Sequence, residues 1–455
     1  MKILLYAEPT GVFIWWEGYR ATQAIYDHLY LWLTQELLQH KDVEIKTIVP
    51  ELALQTCDDT ATLQPLSPIV FKDEYLQQIF PHVGSLEEAN LKILTNQLSD
   101  KEYDTLRSII IPLLPEGWSP ELVISFPPHN DLLKHTFPKA LHLLVDNGLF
   151  SRAPFFRSVR FDPFHHCEGF PNRYKEAIRN FPITSKQRDS LSQFKRQLQQ
   201  IINKHNPLKQ TLEQLRKKFR YLILCPVPPH NRYKENLFDD QYLYLLHVLQ
   251  KIPAHIGLIV TFHDIGNSQL NPPTIKLLQK KYPNLIWFPP DKQKFFSRSL
   301  NYFGHIDAII NTQTMTGTQA LLWDVKVISL DKSYSKWFCD KSGLENLEEF
   351  LAQPTPDHAG LLYWYMTHFT VYEKNFNKPN WYYNFFKTKL EKFHQNGITF
   401  DLYEQLEDFD ALSKYILDYV QAYYCPWAKF KRWAFPFYLK GKICLKKIKS
   451  LFTKF

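Results

Sequence analysis

The stretch from Phe303 to Asp331, FGHIDAIINTQTMTGTQALLWDVKVISLD, sets a cluster of Thr, Gly and Gln between two β-branched runs, IDAIIN and VKVISL. Its length and spacing predict strand, polar loop, short helix and strand. Thr312, Thr314, Thr316, Gly317 and Thr318 crowd the loop just ahead of QALLWD. Hydroxyls and unpaired backbone N–H groups that converge at a helix start make a site for an anion such as a phosphate, because the helix dipole adds to the donors. The same threonines could equally serve as ordinary helix caps.

Working outward from this stretch, strand and helix patterns alternate in both directions. YLILCPVP, IGLIVTFHD and LIWFPP read as strands, with DDQYLYLLHVLQKI and NPPTIKLLQKKY as the helices between them. Nearer the start, KILLYAE reads as a first strand, and Ile25, Leu29, Leu33 and Leu37 fall at helical spacing between Gly18 and His40. VEIKTIVP, ELVISFPP and KALHLLVDNG supply further strands, and a helical insertion lies around Ser85 to Leu114. A polar helical tract from Thr184 to Phe219 connects the two series, and an aromatic-rich, helical tract follows Leu330. This alternation predicts an α/β chain of two Rossmann-like lobes. We place a first lobe at 1–205, a second at 206–375 and a helical segment at 376–455.

Composition agrees with two lobes. A chain of 455 residues with 45% hydrophobic content can bury a large core and is too long for one ordinary domain. Six scattered cysteines, Cys57, Cys167, Cys225, Cys339, Cys425 and Cys444, contain no C-x-x-C pair or metal-ligand spacing, so free thiols in a reducing cytoplasm are expected. Glu8 interrupts the short apolar run at the start, which reads as a strand, not a signal peptide. No apolar stretch reaches the roughly twenty residues that span a bilayer, so a soluble or peripheral protein is expected.

The net charge of +8 is concentrated at the end. Lys429 to Phe455, KFKRWAFPFYLKGKICLKKIKSLFTKF, carries nine Lys or Arg residues, no acidic residue and interleaved aromatic and aliphatic side chains. That combination fits an anionic membrane surface, where basic heads meet lipid phosphates and apolar groups enter the interface. A basic helix packed on the protein is the plainer reading. No recognised nucleic-acid module accompanies the patch, so nucleic acid is not the expected partner.

In doubly wound sheets, ligands bind beyond the carboxyl ends of the strands, which directs attention to three more loops. His263 leaves the strand IGLIVTF at such an end, where an imidazolium would offset charge developing on a phosphate leaving group. PVPPHNRYKEN follows the first strand of the second lobe and offers His230, Asn231 and Arg232; it also reads as a proline-shaped turn. In the first lobe, Asp146 follows a hydrophobic strand and precedes Asn147, Gly148 and Arg152. A carboxylate at a strand end beside arginines is a candidate acid, base or nucleophile, and an Asp-Asn-Gly turn is the alternative. VFIWWEGYR adds Glu17 as a second candidate carboxylate and Arg20 as a candidate acceptor contact, as Arg152 is. These spacings call for neither a metal nor an organic cofactor.

Two Rossmann-like lobes, a histidine ending a second-lobe strand, and TMTGTQALLWDVKVISL together resemble the GT-B glycosyltransferases of bacterial envelope polysaccharides, above all the capsule and O-antigen Kdo transferases. The likeness runs from about Val123 to Leu330. It implies a GT-B-like fold with a deep interlobe cleft, followed by a helical, basic C-terminal segment. It further implies a nucleotide-sugar donor held by the second lobe, CMP-Kdo being one such donor, and a lipid-linked or oligosaccharide acceptor held by the first. On this resemblance His263, Thr314, Thr316 and Gly317 match the nucleotide-binding positions and Asp146 the acidic residue of the first lobe. Asp264 stands where the family commonly has proline, and PVPPHNRY lacks the aspartate expected in the Kdo enzymes, so another nucleotide sugar stays open. The implied location is the inner face of the bacterial cytoplasmic membrane. A sugar-nucleotide epimerase or phosphatase, or a non-catalytic glycan- or membrane-binding assembly protein, are the alternatives.

Overall fold

A computed structural model describes residues 1–7, 33–51, 68–85, 88–89, 92–93, 97–126, 132–150, 153–164, 169–227, 240–262, 270–288, 299–311, 315–330, 334–376 and 378–425. Its strands are β1 (Lys2–Ala7), β2 (Glu44–Pro50), β3 (Ile69–Phe71), β4 (Leu122–Phe126), β5 (Leu141–Asn147) and β6 (Ser158–Asp162). They continue with β7 (Tyr221–Val227), β8 (Ile256–Phe262), β9 (Leu285–Trp287), β10 (Ala308–Asn311), β11 (Lys326–Ser329), β12 (Lys341–Ser342) and β13 (Val371–Tyr372).

Two sheets result. The second has the order β12-β11-β10-β7-β8-β9, and every pairing in it is parallel. Read from β9, this is the 3-2-1-4-5-6 order of a doubly wound nucleotide-binding fold. The first sheet, β13-β6-β5-β4-β1-β2-β3, repeats that winding through five parallel strands and then adds β6, antiparallel to β5, and β13, antiparallel to β6. Central strands buried on both faces must be apolar throughout, and β4, as LVISF, is buried at every position. Both sheets are therefore α/β and doubly wound, as the alternating sequence pattern predicts.

The chain does not divide as simply as the sequence pattern does. β13 lies within the tract 206–375 yet pairs with β6 of the first sheet. Beyond it, the Trp381–Asn396 helix packs Phe385, Phe386 and Leu390 against β1, β4 and β5 in the first-sheet core. Two residues of strand are too few to leave a period-2 signal, so this return is silent in the sequence. The aromatic-rich tract after Leu330 is mainly helical, with a π-helical turn at Tyr365–Phe369 leading into β13.

One core joins the sheets. It runs from Leu149 and Phe150 beyond β5, through the Ser185–Lys204 helix, to β7, β10 and β11, and on to the Phe409–Tyr424 helix. Its centre is aromatic: Phe170 lies at 4.6 Å from Tyr403 and 6.1 Å from Trp364, ring centre to ring centre. Such tilted and offset ring pairs add to the area they bury.

Candidate functional site

The winding of the second sheet reverses between β7 and β10, which pair through Ala308 with Ile223 and Ile309 with Leu224. The carboxyl ends at that reversal are the expected ligand edge. β7 ends at Val227, three residues before His230, Asn231 and Arg232 begin; β10 ends at Asn311, directly before Thr312; and β8, the other neighbour of β7, ends at Phe262, directly before His263. The second-lobe tracts singled out in the sequence thus follow the two strands that flank the switch point and the strand next to them. His230, Asn231, Arg232, His263, Thr312 and Thr314 themselves lie outside the described residues, as do Glu17, Arg20 and Arg152 and the basic tail 426–455.

Past the Thr312–Thr314 tract, the geometry is well defined. Asn311 is fully buried, and its Oδ1 accepts a hydrogen bond from the Gly317 backbone N–H at 3.1 Å. A Cβ on Gly317 would come within 2.7 Å of the Asn311 side chain and 2.8 Å of the Phe338 ring. Glycine is required here by close approach inside the protein, and its amide is committed to Asn311. Thr318 is fully buried too, whereas Thr316 is half-buried. Of the loop residues that are described, Thr316 is therefore the one whose side chain reaches partial solvent. The helix that follows, Met315–Ala320, is six residues long and passes into a 3-10 turn at Leu321–Trp323. Asn311 was not singled out from the sequence; the signal available was a polar side chain closing the apolar run IDAIIN.

The two sheets meet at this edge. Gln319, on the Met315–Ala320 helix, donates from Nε2 to the carbonyl oxygen of Leu149 at 2.8 Å, and Leu149 lies two residues beyond the carboxyl end of β5. Arg179 makes a second crossing, donating from Nε to the carbonyl of Trp337 at 2.9 Å and from Nη2 to that of Cys339.

Asp146 sits on the first-sheet side of this meeting. The structure makes it a strand residue, opposite Arg160 in the β5–β6 ladder, and not the start of an Asp-Asn-Gly turn: pairing continues through Asn147, and the Gly148 N–H still donates to Ser158 at 2.8 Å. Its carboxylate forms an ion pair with Arg160 and accepts the Asn147 N–H at 2.7 Å. The Asp146 side chain keeps 18% exposure while that of Arg160 has 2%. Burial opposes the Arg160 charge, but Asp146, Tyr365 and Asp162 outweigh it and hold the guanidinium protonated. On the far side, Asp162 accepts N–H groups of Phe164 at 2.9 Å and of Phe170 at 2.9 Å. Burial nevertheless pushes the Asp162 carboxyl up to about 6, against the pull of Arg160 and those N–H donors. Burial also pushes the Tyr365 phenol up to about 12. Arg160, which the sequence reading did not single out, is brought to this carboxylate by the antiparallel register.

Among the described residues, no group of three or more His, Cys, Asp or Glu side chains is placed to hold a metal ion. Cys225, Cys339 and Cys425 are free thiols. Among the same residues no helix is long and apolar enough to cross a membrane.

No protein-family model matches the chain, and no curated protein matches it. Among solved structures, it is similar to the β-Kdo 2,7 transferase of KpsC from Thermosulfurimonas dismutans, at 11% identity and a TM-score of 0.36, over 66% of this chain and 88% of that one. The β-Kdo 2,4 transferase of the same KpsC gives 12% identity and a TM-score of 0.36, over 65% and 90%. A UDP-GlcNAc 2-epimerase from Neisseria meningitidis, bound to UDP-GlcNAc, gives 14% identity and a TM-score of 0.25, over 92% and 99%. At these scores the fold assignment rests on the strand order itself.

Proposed function

We propose that this protein is a glycosyltransferase that moves a sugar from a nucleotide donor to a bacterial surface glycan. The observation that supports the reading is one of chain order: β7 and β10, which flank the switch point, and the neighbouring β8 are each followed by a candidate tract, which in turn hold His230, Asn231 and Arg232, the threonine loop, and His263. A cation, histidines and hydroxyls in the segments that follow the carboxyl ends of a doubly wound sheet suit a diphosphate or monophosphate leaving group. The donor's phosphate is met by His263 and the Thr312–Thr316 tract, which stabilises the departing nucleotide electrostatically. The acceptor side falls to the first lobe, with Arg20 and Arg152 as its contacts. There Asp146 acts as general base on the acceptor hydroxyl, or as nucleophile in a retaining reaction, with Glu17 as the other carboxylate for that role and His230 as a proton carrier. Its ion pair with Arg160 holds the Asp146 carboxylate in one orientation. Kdo from CMP-Kdo is the donor named by the sequence resemblance, and a lipopolysaccharide or capsular glycan is the acceptor.

The basic, aromatic tail from Lys429 to Phe455 keeps the enzyme at the inner face of the membrane, beside a lipid-linked acceptor. Truncation after Cys425 should abolish co-sedimentation with anionic vesicles at low salt while leaving transfer to a soluble acceptor intact. Co-sedimentation that survives the truncation, or loss of transfer to the soluble acceptor, would refute the tether.

A thermal-shift series with CMP, UDP, GDP and ADP tests the central reading, because a ligand bound at 100 times its Kd stabilises the folded state by about 2.7 kcal/mol. Stabilisation by one base in preference to the others is expected, CMP supporting Kdo transfer and UDP or GDP another sugar. No shift with any of the four, in folded protein, overturns the transferase. Conversion of the nucleotide sugar without an acceptor would favour an epimerase or phosphatase instead.

A further inference from the structure

The Ser185–Lys204 and Phe409–Tyr424 helices run side by side, with Phe194, midway along the first, at 6.0 Å from Phe409 at the start of the second, and His205, just past the end of the first, stacked at 4.5 Å on Tyr424 at the end of the second. They are therefore parallel. Their apolar faces close on each other through Leu191, Phe194 and Leu198 on one helix and Leu412, Ile416 and Val420 on the other. Above that seam runs a groove of about 490 Å³. No residue lining it belongs to a strand end, so it is separate from the switch-point edge.

The groove is lined mainly by amide and hydroxyl side chains. Ser190, Gln193, Gln197 and Gln200 follow one another at spacings of three and four along the first helix, and Ser413 and Gln421 face them from the second. Residues three and four apart share a helix face, so the amides form one row. Two other glutamines of that helix are spent on the protein: Gln187 donates to the Tyr363 hydroxyl at 2.8 Å and Gln199 to the Leu322 carbonyl at 2.7 Å. By contrast, no side-chain hydrogen bond to a described residue engages Gln193, Gln197, Gln200 or Gln421. Lys414 stands one turn from both Asp410 and Asp418 yet pairs with neither within 4 Å. Ile201 and Leu417 make a half-buried floor.

We infer that this groove is a binding site for a neutral or N-acetylated oligosaccharide. A carboxamide offers both a donor and an acceptor, which is the pair a sugar hydroxyl also presents, and the apolar floor suits the C–H face of a pyranose. Asp410, Asp418 and Lys414 leave one net negative charge on the lining, which disfavours acidic sugars. The lined length from Ser190 to Ile201 spans about 16 Å of helix at 1.5 Å per residue, room for a linear chain of three to four sugars.

Saturation-transfer NMR of the full chain with maltotetraose, cellotetraose and N-acetylchitotetraose, and with tetragalacturonate as the acidic control, tests this without any nucleotide. Transfer to at least one neutral oligomer and none to tetragalacturonate is expected. A Gln197→Ala, Gln421→Ala double variant alters two exposed side chains, so its melting temperature should match the parent while its affinity falls tenfold or more. Silence from all three neutral oligomers overturns the site, as does preferred binding of tetragalacturonate. Binding unchanged in the double variant places the sugar elsewhere and overturns it too. Nucleotide-induced stabilisation is read separately, so failure here leaves the transferase reading standing and the reverse holds as well.

Discussion

Arg160 is enclosed by groups that only make sense together. Its guanidinium pairs with Asp146 on the neighbouring strand and lies close to Asp162 and Tyr365. Removing one partner of a buried pair costs more than the pair contributes, because the remaining charge stays desolvated. Arg160→Met is expected to destabilise by about 3–5 kcal/mol at pH 8. The sign of its pH dependence follows from Asp162, whose carboxyl is raised to about 6 in the parent. Without Arg160 it takes up a proton more readily still, which removes one of the two carboxylate charges left without the guanidinium, so the deficit should shrink at pH 5. Urea denaturation at the two pH values checks this, and an equal deficit at both would contradict it. Gly317 carries a second residue-scale expectation. With a Cβ only 2.7 Å from Asn311 and 2.8 Å from Phe338, Gly317→Ala should overpack the loop and cost about 1–3 kcal/mol in the same assay.

Elements here are tied across long stretches of chain. Glu36, on the short Leu33–Leu37 helix, accepts the backbone N–H groups of Tyr382 at 2.7 Å and Tyr383 at 3.1 Å, the first turn of the Trp381–Asn396 helix. A carboxylate at a helix N-terminus satisfies orphan donors and complements the dipole. The residue ahead of that helix, Asn380, has φ 60 and makes no side-chain cap, so the distant glutamate substitutes for a local one. Glu36→Ala should cost about 1–2 kcal/mol, and hydrogen exchange should quicken first at Tyr382 and Tyr383. Uniform exchange through the helix, with stability unchanged, would show that the cap does nothing.

At the scale of the molecule, one buried cation should leave a mark on the pH dependence of stability. Lys389 packs 3.8 Å above the Tyr403 ring and donates to the Leu402 carbonyl at 3.0 Å; burial pushes its ammonium down to about 7, helped by Lys392. In the unfolded chain it titrates near 10.5. Between about 7 and 10.5 the unfolded state therefore binds more protons, and the Lys389 contribution to stability rises with pH across that window. Unfolding free energies of the parent should gain on those of Lys389→Met from pH 7.5 to pH 10. Parallel curves would mean that the lysine keeps its proton in the fold. The readout is a global one, since the helix bearing Lys389 packs on the first sheet while Tyr403, beneath its ammonium, belongs to the core that joins the two sheets.

What the sequence by itself determined was the alternation. Unbroken apolar runs such as LILCPV and IGLIVTF are what a strand buried on both faces requires, and helices at 3.6 spacing between them leave few folds other than doubly wound sheets. It also placed His263, Thr312 and His230 next to strand ends, because loop position is a property of chain order. Contacts between remote segments were decided only by the tertiary structure. Arg160 meets Asp146 from fourteen residues away because an antiparallel register chooses partners by ladder position. Gly317 answers to Asn311 and Phe338, and Glu36 caps a helix 346 residues away, since burial is settled by what packs alongside. Local physics wrote the elements into the sequence; desolvation and close packing, which act between segments far apart in the chain, settled their partners.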